Sequence, residues 1–106
     1  MADNPGITFE RLPHPTPTDP AVRDQALANP GFGTVFSDHM VTIDWEEGKG
    51  WHKARIGPRG PLSLDPATAV LHYAQEIFEG LKAYKQEDGT ISMFRPHANA
   101  ERFNAS

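Results

Sequence analysis

From Asp38 onward, apolar and polar residues alternate with a period of two, which is typical of a β-strand with one buried face. Residues 47–50, Glu-Gly-Lys-Gly, have the composition of a turn. The stretch Trp51–Ile56 can then pair back as a second strand. The pattern therefore predicts an antiparallel hairpin over residues 38–56.

After this hairpin, the pattern of apolar residues fits two structures. Asp65-Pro66 combines a capping carboxylate with a proline in the first turn, which indicates the start of a helix. Apolar residues then recur at helical spacing as far as Gly80. However, Asp88-Gly89 is a strong hairpin turn, and a hairpin needs a strand before its turn. We therefore expect a short helix over about residues 66–72 and a second hairpin over about residues 77–94.

Two further helices are predicted from their start signals. Asp19-Pro20 repeats the signal of a cap followed by proline, and the helix predicted over residues 20–27 is stopped by Asn29-Pro30-Gly31. Arg95-Pro96 opens a helix predicted over residues 97–106. This last helix carries no stop signal, so we expect the chain to be part of a longer protein.

The first 18 residues are polar, and prolines occupy every second position from Pro13 to Pro17. Such spacing favours extended backbone and removes amide donors. We expect an arm that is disordered by itself or lies on another surface. The elements together predict an α+β fold of antiparallel hairpins with flanking helices. Its predicted parts are a proline-rich arm with a short helix, residues 1–30, and a small α/β domain, residues 31–106.

Composition narrows the classes of function. The absence of cysteine excludes disulfides and thiolate chemistry. A net charge of −4 without a cluster of basic residues weighs against binding to nucleic acid or to an anionic membrane. The apolar runs are shorter than a membrane span, and the N-terminus lacks the features of a signal peptide. We therefore expect a soluble, cytoplasmic protein.

Candidate chemical groups give weak signals when each is considered alone. The five histidines do not have the spacing of metal ligands, so no metal site is expected. Glu76 and Glu79 could form a carboxylate pair, although charges on a solvated face or strand edge are the simpler interpretation. Tyr73 and Phe78 are most simply core aromatics. Arg102 is either a surface arginine or a guanidinium that binds a phosphate.

Five blocks of sequence together give a more specific signal than these single residues. They are Phe32–Met40, Leu71–Tyr73, Phe78–Tyr84, Phe94–Pro96 and Glu101–Phe103. In this order they closely resemble the start of the branched-chain amino acid aminotransferases, and the match extends from about residue 31 to the end of the chain. The first block is typical of the longer branched-chain subgroup rather than of D-amino acid aminotransferases or aminodeoxychorismate lyases.

The resemblance implies the small N-terminal domain of a fold type IV pyridoxal phosphate enzyme. Enzymes of this family transfer the amino group of leucine, isoleucine or valine to 2-oxoglutarate, which yields glutamate, and they are homodimers or higher oligomers. Their Schiff-base lysine lies far downstream of the residues present here, in the C-terminal domain. Lys82 is not that lysine, so we expect no catalytic residue in this chain.

The resemblance also implies roles for individual residues. Arg102 would bind the phosphate of the cofactor. Phe32, Tyr73 and Phe78 would line the apolar pocket for the substrate side chain, with Tyr73 reaching across the dimer. Gly80 would let the backbone pass close by.

Two functional hypotheses follow. The chain is the N-terminal part of a branched-chain aminotransferase, and it is inactive by itself because the lysine is missing. Alternatively, it is a naturally short, non-catalytic module of the same fold that serves in dimerisation or another interaction.

Overall fold

The computed structural model describes residues 6–106, whose contacts form two compact units that divide between Leu62 and Ser63. The first unit contains β1 (Glu10–Arg11), α1 (Pro20–Ala28), β2 (His39–Glu46) and β3 (Gly50–Pro58). The second contains α2 (Ala69–Tyr73), β4 (Ala83–Lys85), β5 (Ile91–Met93) and α3 (Pro96–Ala105). Helices and antiparallel strand pairs occur together, so the predicted α+β class is confirmed.

The hairpin predicted over residues 38–56 is confirmed as the antiparallel pair β2–β3. Gly48 and Gly50 adopt positive φ angles of 87° and 71° in its turn, a conformation that glycine adopts without steric cost. The register shifts between Thr42 and Asp44, where β3 contains one extra residue. Lys53 has a φ of 51° at this bulge, and the next residue, Ala54, is buried.

Strand β1 was not predicted from the sequence. It pairs in parallel with β3, with Glu10 opposite Arg55, and the amide of Leu12 donates to the carbonyl of Ile56 at 2.9 Å. Residues 10–12 of the arm are therefore ordered along the hairpin and not disordered. Residues 1–5, which the predicted arm also includes, lie outside the described residues.

The rest of the arm is hydrogen-bonded to the residues where β2 begins. The amide of His14 donates to Nε2 of His39 at 3.0 Å. The amide and hydroxyl of Thr18 both donate to the carboxylate of Asp38, at 2.9 and 2.5 Å. These bonds from Thr18 hold the pKa of Asp38 below its usual value. These polar contacts attach His14 and Thr18 of the arm to the start of β2.

Helix α1 confirms the prediction for residues 20–27, since the carboxylate of Asp19 accepts from the amide of Ala21 at 2.9 Å and Pro20 opens the helix. Helix α2 begins later than predicted. Asp65 accepts from the amide of Ala67 at 2.7 Å, so these residues form a turn before the helix starts at Ala69. The helix ends at Tyr73, as expected for a short helix.

The prediction that the second hairpin starts near residue 77 is wrong, because its first strand, β4, begins only at Ala83. Ala83 pairs with Met93, the last residue of β5. Two residues later, Arg95 adopts a left-handed φ of 46° and α3 begins at Pro96. The partner strand therefore ends too early to pair with residues 77–82, which form a connecting segment without a ladder. We call residues 74–82 the connector.

The second hairpin and the last helix otherwise follow the prediction. The turn contains Asp88-Gly89, with a φ of 85° at the glycine, and the amide of Gln86 donates to the carbonyl of Thr90 at 2.8 Å. Hydrogen bonds from the hydroxyl and amide of Thr90 lower the pKa of Asp88. The helix predicted over residues 97–106 is present as α3.

Little apolar surface is covered within residues 6–106. Ala54 is their one buried hydrophobic residue, at 4% exposure. Large side chains such as Trp45, Trp51 and Phe94 are 59–81% exposed. Exposed apolar surface of this extent is typical of a segment that packs against further protein. None of the helices in residues 6–106 has the length and hydropathy that crossing a bilayer would require.

Candidate functional site: an anion-binding cleft at helix α3

The connector and α3 meet at an ion pair between Glu79 and Arg102. Nε and Nη2 of Arg102 both donate to the carboxylate of Glu79, which is a bidentate arrangement. Nδ2 of Asn99 donates to the same carboxylate at 2.8 Å, and the amide of Gly80 does so at 3.1 Å. The carboxylate of Glu79 therefore accepts hydrogen bonds from two residues of the helix and from its own backbone neighbour.

Helical periodicity explains why these groups lie together. Arg95 caps α3, and Ala98, Asn99 and Arg102 follow it at spacings of three, four and seven residues, which places all four on one face. Nδ2 of Asn99 also donates to the carbonyl of Gly80 at 2.9 Å. This face of the helix is thus attached to the connector at two points.

The two partners of the ion pair differ greatly in exposure. The side chain of Glu79 is 7% exposed, whereas that of Arg102 is 69% exposed. Hydrogen bonds from Arg102 and then from Asn99 lower the pKa of Glu79, and the carboxylate raises the pKa of Arg102 in turn. Both groups are therefore charged at neutral pH, and the guanidinium extends from a covered carboxylate toward solvent.

An open cleft of about 410 Å³ lies along this face. Its lining residues are Glu79, Gly80, Phe94, Arg95, Ala98, Asn99 and Arg102. Two arginines and one glutamate give the lining an excess of one positive charge. A guanidinium has five N–H donors, and Arg102 uses two of them for Glu79, so three bond no other group among residues 6–106. The excess positive charge and the remaining donors suit a phosphate-sized anion.

The residues predicted to line an apolar pocket are not brought together within either unit. Phe32, in the first unit, is 100% exposed on a loop whose neighbours Gly31 and Gly33 have positive φ angles. Tyr73 ends α2 at 83% exposure, and Phe78 lies on the connector at 85% exposure. Their pocket role stays a prediction.

Gly80 is a predicted pocket residue that does line the cleft with Arg102. A methyl group added at this glycine would lie 3.8 Å from the ring of Phe78, which is an ordinary contact. Close passage of the backbone is therefore not visible within the described residues. Lys82 borders a neighbouring cleft that also includes Gly80. The assignment of Lys82 as a residue other than the Schiff-base lysine stays a prediction.

A second cavity lies in the first unit. It has a volume of about 470 Å³, lies between α1 and residues 35–39, and is mainly apolar. The guanidinium of Arg59 lies 4.2 Å from the centre of the Phe36 ring, a cation–π contact. Residues 6–106 contain no group of three or more His, Asp or Glu side chains that could hold a metal ion.

Sequence reasoning missed the importance of Glu79, since a solvated charge was the favoured interpretation. Its partner Arg102 lies 23 positions later. Periodicity connects residues within one element, so no local pattern could link these two. The one available signal was that both residues belong to the five family blocks.

None of the available protein-family models matches the chain. It is 60% identical over 99 residues to a probable branched-chain-amino-acid aminotransferase of Streptomyces coelicolor, a match that covers 93% of this chain and 27% of that protein. The branched-chain-amino-acid aminotransferase of Mycolicibacterium smegmatis is 58% identical over 100 residues, which are 94% of this chain and 27% of that protein.

A more distant relative gives the same result. The mitochondrial branched-chain-amino-acid aminotransferase of Saccharomyces cerevisiae is 47% identical over 93 residues, which are 88% of this chain and 23% of that protein. The resemblance inferred from the five blocks is thereby confirmed. The chain spans about a quarter of the length of these relatives.

Proposed function

We infer that this chain belongs to the branched-chain-amino-acid aminotransferases and forms the N-terminal part of such an enzyme. Identities of 47–60% over most of the chain support this assignment. We propose that the parent enzyme transfers the amino group of leucine, isoleucine or valine to 2-oxoglutarate, with glutamate as the second product. We also propose that the parent enzyme is cytoplasmic.

One observation carries the proposed role of this part: the guanidinium of Arg102 lies on an open, positively charged cleft with three donors to spare. We propose that Arg102 binds the phosphate of pyridoxal 5′-phosphate, which its planar, charged donors suit. Arg95 lines the same cleft and adds positive charge to it. When bound, the cofactor supplies the electron-withdrawing chemistry of amino transfer.

The exposed aromatics have a proposed role as well. Phe32, Tyr73 and Phe78 present rings with few rotatable bonds, which suits an apolar pocket for a branched aliphatic side chain. Their side chains are 83–100% exposed here. Water is therefore excluded from such a pocket only if further protein packs over them. We propose that the rest of the enzyme and the second subunit of a homodimer provide that cover.

An assay of glutamate formation distinguishes the activity of the parent enzyme from that of the 106-residue chain. We expect the full-length enzyme, supplied with leucine, 2-oxoglutarate and pyridoxal phosphate, to form glutamate. We expect the 106-residue chain to form none, because a nucleophilic lysine requires a pocket that lowers its pKa, and that lysine lies outside these residues.

A trapping experiment provides the control. The 106-residue chain is mixed with pyridoxal phosphate and reduced with borohydride, which makes any bond between a lysine and the cofactor permanent. We expect no stoichiometric labelling. Labelling of one lysine that disappears in the Lys82→Ala variant would show that Lys82 is catalytic and would overturn its assignment. A full-length enzyme inactive toward all three branched-chain amino acids would contradict the proposed function.

A further inference from the structure

We propose that Glu79 is a positioning residue, which fixes the guanidinium of Arg102 so that its Nη1 edge is free for the cofactor phosphate. This inference rests on the proposed function, since it concerns the same cleft. Glu79 itself touches no phosphate in this proposal. It acts through Arg102 alone.

Glu79 is the fixed partner of the ion pair. The carboxylate of Glu79 is nearly covered and accepts four hydrogen bonds, two of them from Asn99 and the amide of Gly80. Those two donors hold the carboxylate independently of the arginine. Arg102 is mostly exposed and has many rotamers to lose when it binds an anion. The covered carboxylate therefore fixes the exposed guanidinium.

The bidentate bond also sets the orientation of the guanidinium. Nε and Nη2 both donate to Glu79, so the plane and the direction of the guanidinium are set. Nη1 lies on the opposite edge and bonds no group among residues 6–106. A dianionic phosphate in the cleft would meet donors that are already oriented, which reduces the entropy lost on binding.

Electrostatics alone predicts the opposite effect, and this makes the inference testable. Glu79 contributes a negative charge to the lining of the cleft. If only charge mattered, removal of Glu79 would strengthen the binding of an anion. If Glu79 orients Arg102, its removal must weaken binding. The sign of the change distinguishes the two.

The experiment measures the dissociation constant of pyridoxal phosphate from the full-length enzyme and from its Glu79→Ala variant. We expect about tenfold weaker binding in the variant, by analogy with the lower end of the loss seen when a residue that orients a metal ligand is replaced. Glu76→Ala is the matched control, because Glu76 lies on the same connector, is exposed, and its side chain bonds nothing among residues 6–106. That control should leave the affinity unchanged.

Pyridoxal, which lacks the phosphate, separates positioning from damage to the structure. Glu79→Ala should leave pyridoxal binding nearly unchanged, whereas a misfolded site would lose both ligands. Glu79→Gln is the second variant in case the first fails to fold. It keeps an oxygen for Asn99 and Gly80 but places an amide against Nε of Arg102, so it should weaken binding of pyridoxal phosphate to a smaller extent.

The effect of Glu79→Ala on the binding of pyridoxal phosphate is also measured in the Arg102→Ala background. If Glu79 acts through Arg102, then Glu79→Ala should add no further loss in that background. Equal or tighter binding in the Glu79 variants, or an equal loss of pyridoxal and pyridoxal phosphate, would overturn the positioning role. If Arg102→Ala itself had no effect, the phosphate site of the proposed function would fail instead.

Discussion

At the scale of single residues, the cleft depends on one carboxylate that is almost covered. Water does not solvate Glu79 well, and hydrogen bonds from Arg102, Asn99 and the amide of Gly80 replace that solvation. Each partner lies on a different turn of α3 or on the connector. The charge of Arg102 is therefore held in place by contacts between two elements.

A pH dependence follows from these bonds. Arg102 first, and then Asn99, lower the pKa of Glu79 below its ordinary value of 4.5. A lowered pKa in the folded state stabilises the fold above the ordinary pKa, and this contribution is lost as pH falls through the lowered value. An NMR titration of the Glu79 carboxyl group in the full-length enzyme should place its pKa below 4.5. In the Arg102→Ala variant the pKa should rise, and an unchanged value would contradict the ion pair.

At the scale of elements, strand pairing decided which predictions succeeded. The alternation after Asp38 and the Asp88-Gly89 turn are local signals, and both hairpins could be predicted from them. The start of β4 could not, because it depends on where its partner β5 ends. Strand β1 has two residues, too few to form a period, and it forms through its pairing with β3.

The arm yields a prediction at this scale. Thr18→Val removes the hydroxyl that donates to Asp38 and keeps the shape of the side chain. We expect faster amide hydrogen exchange over residues 10–18 and a rise in the pKa of Asp38 toward its usual value. Thr16→Val is the control, since the hydroxyl of Thr16 bonds nothing among residues 6–106. Equal exchange in both variants would show that the arm is held by other contacts.

At the scale of the whole molecule, the lack of a core is the dominant feature. Ala54 is the one buried hydrophobic residue among residues 6–106, and a chain of this size without cysteine has no disulfides to compensate. The family blocks predict Arg102 and the aromatic residues as site residues, and these roles stay predictions. The partner of Arg102 was not predictable, since it required the spatial meeting of the connector and α3.

The exposed apolar surface gives a prediction for the isolated chain. We expect the 106-residue chain to bind a dye specific for apolar surface, such as ANS, and to unfold over a broad temperature range. The full-length enzyme should bind little dye and unfold cooperatively if, as we propose, its remaining part covers these side chains. A sharp transition without dye binding in the isolated chain would show that the two units are stable without further protein.

We propose that this chain supplies the phosphate site of an aminotransferase, and a variant of Arg102 tests this proposal most directly. The measurement is the dissociation constant of pyridoxal phosphate from the full-length enzyme and from its Arg102→Ala variant. Loss of a charged fork from a dianion should weaken binding about tenfold to hundredfold, and Arg102→Lys should restore only part of it because a point charge cannot fork. Equal affinities in all three proteins would contradict the account.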